Sequence, residues 1–205
     1  MKKRILFGSA FAILLSLLGA CDDGTGGGGG GGDGGGGGGG AGGGGPVLEK
    51  GAWAVAFTDG PGCGPGAENT AVGMVSASSA DQLLSDGEDQ ATVSCQVAAA
   101  GSGFGVAATA TQNGRALTFA IDNLSTTATP DDPALGTVSY ATPNTGNTFT
   151  SAQCAFYFLD ETLQGVEPGK VWLTFTCPQI AASVDNVCSI DVAYAAFDGC
   201  RTQLD

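Results

Sequence analysis

A single low-complexity tract limits how much of this chain can fold. Residues 24–45 contain 19 glycines and are interrupted only by Thr25, Asp33 and Ala41. Glycine brings no side chain to a core and loses the most backbone entropy on ordering, so we expect a disordered, flexible linker. Such a linker spans about 25 Å on average. We therefore divide the chain into a segment over 1–20, a linker over 21–45 and one folded domain over 46–205.

The first 20 residues have the layout of an export signal. Residues 1–4 include the basic side chains Lys2, Lys3 and Arg4, and residues 5–18 are apolar or small without a charge. A helix of that length extends about 21 Å, which is shorter than the ~30 Å hydrocarbon core of a bilayer. A basic start followed by a short apolar stretch and small residues is typical of a signal peptide rather than a spanning helix.

The end of this segment reads Leu18-Gly19-Ala20-Cys21 and resembles the lipobox of bacterial lipoproteins. The resemblance implies that the Cys21 sulfur receives a diacylglyceryl group, that the chain is cleaved before Cys21, and that the new N-terminus is acylated. Two or more acyl chains hold a protein stably on a bilayer. We predict a membrane-anchored lipoprotein of the cell envelope, on its periplasmic side or at the cell surface. The alternative is an ordinary secretory signal that leaves Cys21 as a spare thiol.

Cleavage at this position would leave a strongly acidic protein. All 20 acidic residues follow Cys21, and three of the seven basic residues precede it, so the mature net charge is −16. A chain with this charge repels phosphate backbones, which argues against nucleic-acid binding. It is not attracted to anionic lipid either, so the lipid anchor would have to provide the membrane contact.

The folded domain reads as all-β. Runs rich in β-branched and aromatic residues alternate with turn signals, of which Asn113-Gly114 is a clear hairpin signal. Many short strands predict an antiparallel β-sandwich stabilised by disulfides, with a β-barrel as the alternative. Only residues 79–86 have a helical pattern. The predicted strands cover residues 52–58, 70–76, 91–98, 103–111, 115–122, 136–141, 147–150, 153–159, 170–177 and 188–197.

Alternating apolar residues identify the side chains that we expect in the core, because successive side chains of a strand point to opposite faces of its sheet. The cysteines in the strands have the same parity as these apolar residues, so we expect their sulfurs to point inward too. The inward sets are Leu117, Phe119 and Ile121; Val171, Leu173, Phe175 and Cys177; Cys154, Phe156 and Phe158; Val93, Cys95 and Val97; and Cys188, Ile190, Val192 and Tyr194.

Six cysteines lie in the folded domain, and an even number in an exported chain predicts disulfide bonds. The spacing does not determine the pairing. Successive hairpins would gather Cys154, Cys177 and Cys188 at one end of the sheet, so we expect at least one bond between two of these three. A metal–thiolate site is the rival interpretation, but there is no histidine and no Cys-x-x-Cys pair, so we expect no metal site and no cofactor. The six are Cys63, Cys95, Cys154, Cys177, Cys188 and Cys200.

The sequence offers little support for catalysis. Without histidine the usual general base is missing. A two-carboxylate hydrolase would draw on Asp160, Glu161 and Asp191, near predicted strand ends. Acidic loops at 85–90 and 130–133 carry oxygen ligands of the kind that calcium prefers, although a solvated turn explains them equally well.

Two aromatic residues are candidates for binding. By alternation Trp172 lies opposite Leu173 and Phe175, and Tyr157 lies opposite Phe156 and Phe158. If that face is exposed, these rings could stack on sugars or contact a protein partner. The alternative is that a second sheet covers them.

The whole layout resembles uncharacterised surface lipoproteins of predatory soil bacteria: a lipobox, a glycine-rich linker, and a cysteine-rich β-domain with "VWLTFTCP" at 171–178 and "FDGC" at 197–200. This resemblance implies anchoring and domain style but no active site. We therefore expect a non-enzymatic, lipid-anchored envelope protein whose head has a structural role or binds a protein or glycan. A calcium-assisted carbohydrate-binding module and a carboxylate-dependent hydrolase are the alternatives.

Overall fold

The computed structural model describes residues 47–58 and 62–203. The chain separates into two units, Met1–Gly43 and Gly44–Asp205, and every described residue belongs to the second. The predicted signal peptide, Cys21 and the glycine-rich linker lie outside the described residues. Within the described part, no helix has the length and apolar character needed to cross a bilayer.

The folded unit consists almost entirely of β-structure, as predicted, and every strand pair is antiparallel. Apart from one short 3₁₀ turn at Glu88–Gln90, no helix occurs in the described part of the chain. The strands are β1 (Lys50–Thr58), β2 (Glu68–Val72), β3 (Leu84–Ser85), β4 (Thr92–Ala100), β5 (Gly103–Gln112), β6 (Arg115–Leu124), β7 (Ala134–Ala141), β8 (Phe149–Tyr157), β9 (Gly165–Glu167), β10 (Lys170–Ser183) and β11 (Asn186–Asp198).

One continuous sheet forms the two facing layers of the domain. Its strand order is β2-β1-β11-β10-β8-β7-β6-β5-β4, with β3 attached to β1 and β9 attached to β10. The sheet curls into a half-barrel, so that β1 also contacts β4 and β5 from the opposite part of the sheet. The predicted layered, disulfide-bonded β-architecture is therefore confirmed, and a single curled sheet provides both layers.

The core fills the concave side of this sheet. Leu117, Phe119 and Ile121 from β6 are at most 2% exposed, and Leu173 and Phe175 from β10 are fully buried. Phe119 lies 5.5 Å from Phe156, between ring centroids, in a larger aromatic cluster. The alternation predicted for these strands is confirmed, because each buried set faces the other half of the sheet.

The alternation fails in β11, where a bulge reverses it. Register with β1 steps from Ala56↔Val192 to Phe57↔Ile190, so β11 carries one extra residue at Asp191. Ile190 points inward as predicted and is 1% exposed, but Val192 is half-buried on the opposite, outer face. The predicted inward position of Val192 and Tyr194 is wrong, because a bulge shifts the following side chains to the other side of the sheet.

The helix expected at 79–86 is also wrong. This segment makes the bridge Met74↔Gln82 and the short strand β3. The Ser76 and Ser79 side chains bond locally to each other and to nearby backbone, which competes with helical hydrogen bonding. Ala80 and Leu83 of the segment pack on the outer side of the sheet, whereas Leu84 is buried in the main core.

The hairpin signal at Asn113-Gly114 is confirmed. The two residues connect β5 to β6 and have φ angles of 52° and 76°. Positive φ at both central positions is what a two-residue turn of this kind needs, and asparagine and glycine accept it most readily.

All six cysteines of the domain are paired, as predicted. Cys154–Cys177 joins β8 to β10 and satisfies the expectation of one bond among the three cysteines near that end of the sheet. The other two bonds cross much longer stretches of chain, with separations of 125 residues for Cys63–Cys188 and 105 residues for Cys95–Cys200.

The edge of the sheet at β4 is covered by the C-terminal segment. Arg201 N–H donates to Cys95 O (3.0 Å) and Val97 N–H donates to Arg201 O (2.8 Å). Glu49 Oε2 accepts from the Cys95 N–H at 2.7 Å. An uncovered edge strand pairs readily with other chains, so these contacts and the Cys95–Cys200 bond protect β4 from aggregation.

Candidate functional site

A row of outward-facing residues crosses five strands on the convex side of the sheet. Each member lies directly opposite the next in the strand register. The residues on either side of each member along its strand point into the core. We call this set the tyrosine row; it comprises Ala71 on β2, Ala54 on β1, Tyr194 on β11, Thr174 on β10 and Tyr157 on β8.

The two rows beside the tyrosine row are also free of charge. One flanking row holds Asn69, Ala56, Val192, Thr176 and Ala155. The other holds Ala52, Ala196, Trp172 and Gly165, and its first three members are at most 8% exposed. We call these rows and the tyrosine row together the outer face. Its members are small, hydroxyl-bearing, amide or aromatic, in a chain with 20 acidic residues.

Tyr157 and Tyr194 stand on either side of Thr174 and are both half-buried. Partial burial raises the pKa of the Tyr157 phenol above its ordinary value, because it disfavours the phenolate, and the neighbouring Tyr194 adds to the effect. The two phenols are thus close enough to influence each other. The Tyr157 phenol therefore remains a neutral hydrogen-bonding group at physiological pH.

Gln164 ties this site to its neighbouring loop. Its Oε1 accepts from the Leu159 N–H and from Thr174 Oγ1, both at 3.0 Å. Its Nε2 donates to Ala77 O at 3.1 Å, so the same side chain reaches the segment before β3. The hydroxyl of Thr174 is therefore already engaged, and Thr174 is 1% exposed, whereas the two tyrosines are each half-buried.

Trp172, a predicted binding residue, is mostly covered. It is 8% exposed, and its Nε1–H donates to Ser76 O at 3.2 Å. Val75 packs in the same apolar cluster. The cover is a loop segment that crosses the sheet, in place of the second sheet considered from the sequence. Trp172 still borders a groove of about 440 Å³ that also includes Leu83 and Leu163.

A second groove lies at the opposite side of the tyrosine row. Its volume is about 330 Å³, within the range of small-ligand sites. Tyr194 and Val192 form one wall, and Ala54, Ala56 and Ala71 form much of the floor. Tyr194 itself is half-buried and also packs against the apolar cluster of Ala52, Val75, Trp172 and Ala196.

The predicted hydrolase carboxylates occupy different elements. Asp160 and Glu161 are exposed in the loop between β8 and β9. Asp191 is exposed at the β11 bulge, where its Oδ1 accepts from Ser189 Oγ at 3.2 Å. The structure shows no contact that joins Asp191 to the other two among the residues it describes.

The acidic loops use carboxylates to bind their own backbone. In the 85–90 loop, Asp86 Oδ1 accepts from the Val93 N–H and Glu88 Oε2 accepts from the Ser85 N–H, each at 2.9 Å. In residues 47–58 and 62–203, no three cysteine, aspartate or glutamate side chains are grouped so that they could hold a metal ion. The 130–133 loop closes locally through the bridge Thr129↔Asp132.

One buried polar cluster was not anticipated from the sequence. Glu68 Oε1 accepts from the Tyr140 hydroxyl at 2.7 Å and from Thr142 Oγ1 at 2.8 Å, and Glu68 Oε2 accepts from Asn144 Nδ2 at 3.1 Å. The Tyr140 side chain is fully buried, and this burial raises its pKa well above the ordinary value, with Glu68 adding to the effect. The cluster joins β2 to the end of β7 and is structural in character.

Sequence reasoning also missed Tyr194 and Gln164. Tyr194 was assigned to the core because the bulge at Asp191 has no sequence signal that alternation can detect. Gln164 is one polar residue in a loop, and only the folded chain brings it beside Thr174.

These features define the head as a disulfide-bonded, antiparallel β-domain with an uncharged outer face. Comparison with known proteins adds no relative, since no family model, curated protein or solved structure matches this chain.

Proposed function

We propose that this chain is an exported, lipid-anchored envelope protein that displays a non-catalytic β-domain for a structural or partner-binding role. The observation that carries the proposal is the set of three disulfides, which pair all six cysteines of the domain. Structural disulfides form and persist in exported proteins and are rare in the reducing cytosol. The pairing therefore supports an oxidising compartment outside the cytoplasm.

The remaining cysteine supports the anchor. The chain has seven cysteines, so Cys21 is left over from the three pairs. It follows Leu18-Gly19-Ala20, where the lipobox resemblance requires the acylated residue. The glycine-rich linker would then separate the head from the bilayer by a few tens of ångströms.

The non-catalytic character rests on the chemistry of the side chains. The sequence contains no histidine to act as a general base near neutral pH. The two glutamates with the most contacts, Glu49 and Glu68, bind groups of the fold itself. The uncharged outer face is suited to contact with a partner.

Metabolic labelling with radioactive palmitate in a bacterial host tests the anchor. The wild-type chain should incorporate label and sediment with membranes, because Cys21 carries the acyl groups. The Cys21→Ser chain should do neither, whereas Ser16→Ala, which leaves the cysteine intact, should behave as wild type. Equal labelling of the Cys21→Ser and wild-type chains would refute the proposal.

A further inference from the structure

We propose that the outer face binds an uncharged polysaccharide, which lies across the strands along the tyrosine row and stacks on Tyr157 and Tyr194. This inference rests on the proposed function, because it names the ligand class of a partner-binding head. It assigns the recognition to two tyrosines, of which the sequence pointed only to Tyr157.

The β11 bulge determines the direction in which Tyr194 points. The extra residue at Asp191 turns Tyr194 away from the core and places it opposite Thr174 on the outer face. The adjacent Ala193 and Ala195 point inward and are fully buried. Bulges occur often beside functional sites, where they redirect a side chain. Here the redirected side chain is a large aromatic on a face made mostly of alanine and threonine.

The backbone spacing of the two tyrosines also suits a sugar chain. Tyr157 and Tyr194 each pair with Thr174 from opposite sides, so their backbones are two strands apart. Two strand spacings amount to about 10 Å. That distance is close to the length of a disaccharide unit in an extended glycan, so alternate sugars of one chain could meet the two rings. Tyrosine suits this contact because it offers an apolar ring face together with a hydroxyl.

The charges on and around the outer face favour a neutral ligand. The paired residues of the three rows carry no carboxylate, ammonium or guanidinium group, and Asp191, at the β11 bulge beside Val192, is the carboxylate that borders them, although the chain as a whole has a net charge of −13. An anionic polymer would be repelled by the rest of the molecule, and a cationic partner would be drawn to the acidic loops instead. A neutral, hydroxyl-rich chain that follows the tyrosine row is the partner that this face accepts without desolvating a charge, since Asp191 lies outside that row.

The groove beside Tyr194 provides space for a sugar ring. It offers about 330 Å³ of open volume above Ala54 and Ala56, with the Asn69 amide at its border. Sugar rings have apolar faces and polar edges. A low alanine floor admits such a ring next to Tyr194, and the amide supplies a hydrogen-bonding group for its edge.

Isothermal titration calorimetry of the full chain in mild detergent tests the proposal with three probes: cellohexaose, chitohexaose and an oligogalacturonate. At least one of the two neutral oligosaccharides should bind, and the anionic one should not. Tyr157→Ala and Tyr194→Ala should each weaken binding by about tenfold or more, because each removes one stacking surface. The Tyr→Phe variants keep that surface and should stay within about threefold of the wild type.

Ala54→Arg provides a variant that keeps both tyrosines. An arginine there should fill the groove beside Tyr194 and abolish binding, whereas Ala120→Arg, on the outward side of β6 in the other half of the sheet, should leave it unchanged. Thermal unfolding and thiol counts should match the wild type in every variant used. Binding should also persist in EDTA.

Three results would overturn the proposal: no binding of either neutral probe, wild-type affinity in both Tyr→Ala variants, or loss of binding in EDTA, which would assign it to calcium. Palmitate labelling of the same preparation separates this inference from the proposed function. A labelled chain that binds no neutral probe overturns only the glycan site, and an unlabelled chain that binds overturns only the anchor.

Discussion

Replacing Glu68 by alanine tests the buried polar cluster that attaches β2 to the rest of the sheet. The glutamate accepts hydrogen bonds from Tyr140, Thr142 and Asn144. Tyr140 is fully buried, so its hydroxyl would lose the acceptor of its proton without gaining access to water and would keep only its contact with Thr70. The Thr142 hydroxyl would likewise lose the acceptor of its proton, although its Oγ1 would still accept from the Thr145 N–H.

The size of the effect follows from these contacts. A buried donor left without an acceptor costs about 1–3 kcal/mol, and a hydrogen bond to a charged group contributes about 1.5–3 kcal/mol. We expect Glu68→Ala to lower the free energy of unfolding by about 2–4 kcal/mol. Tyr140→Phe removes the donor together with its need for a partner and should cost about 1 kcal/mol. The double variant should lose about 1–2 kcal/mol less than the sum of the single variants.

Guanidinium unfolding of the full chain, with its disulfides intact, measures these differences. In thermal unfolding, the midpoint temperature of Glu68→Ala should lie roughly 5–15 °C below that of the wild type. Asp131→Ala, which also removes a carboxylate but at an exposed turn, should stay within about 0.5 kcal/mol of the wild type. A Glu68→Ala cost as small as that of Asp131→Ala, or strictly additive single variants, would refute this account of the cluster.

Two other features can be tested by their effect on stability: the buried Tyr140 hydroxyl and the disulfide bonds. Burial raises the folded-state pKa of Tyr140, so the stability that Tyr140 contributes is complete below the ordinary tyrosine pKa of 10.0 and is lost as the pH rises above that value. Between pH 8 and 11, the free energy of unfolding should therefore decline more steeply in the wild type than in Tyr140→Phe. Equal slopes would contradict this. Removing Cys95–Cys200, which closes 105 residues, should cost up to about 4–5 kcal/mol, against about 3 kcal/mol for Cys154–Cys177, which closes 23. Only the first deletion should also produce dimers or aggregates in light scattering, since it frees the β4 edge, and equal aggregation of both variants would argue against that protective role.

Much of the fold could be predicted because the strands obey a local rule. Side chains alternate between the two faces of a strand, so the buried positions of β6 and β10 follow from sequence order alone. The Asn113-Gly114 turn is equally local, since two residues determine its positive φ angles. The prediction of disulfides needed only the parity and number of the cysteines.

The failures occur where distant residues decide the conformation. The segment at 79–86 has helical spacing, but its apolar residues pack on a sheet face formed by strands far away in sequence. The bulge at Asp191 satisfies the registers of both β1 and β10, and neither constraint is visible within β11 itself. Tyr194 was therefore assigned to the wrong face, and the tyrosine row could not be recognised.

By itself, the amino-acid sequence determined the all-β character of the folded domain and the presence of disulfides, because each depends on composition or on near neighbours. Only the tertiary structure decided the cysteine pairing, the loop that covers Trp172 and the placement of Tyr157 and Tyr194 on either side of Thr174. These features depend on which strands become neighbours when the sheet curls. That choice is made by the packing of the whole core, since no local segment contains the information.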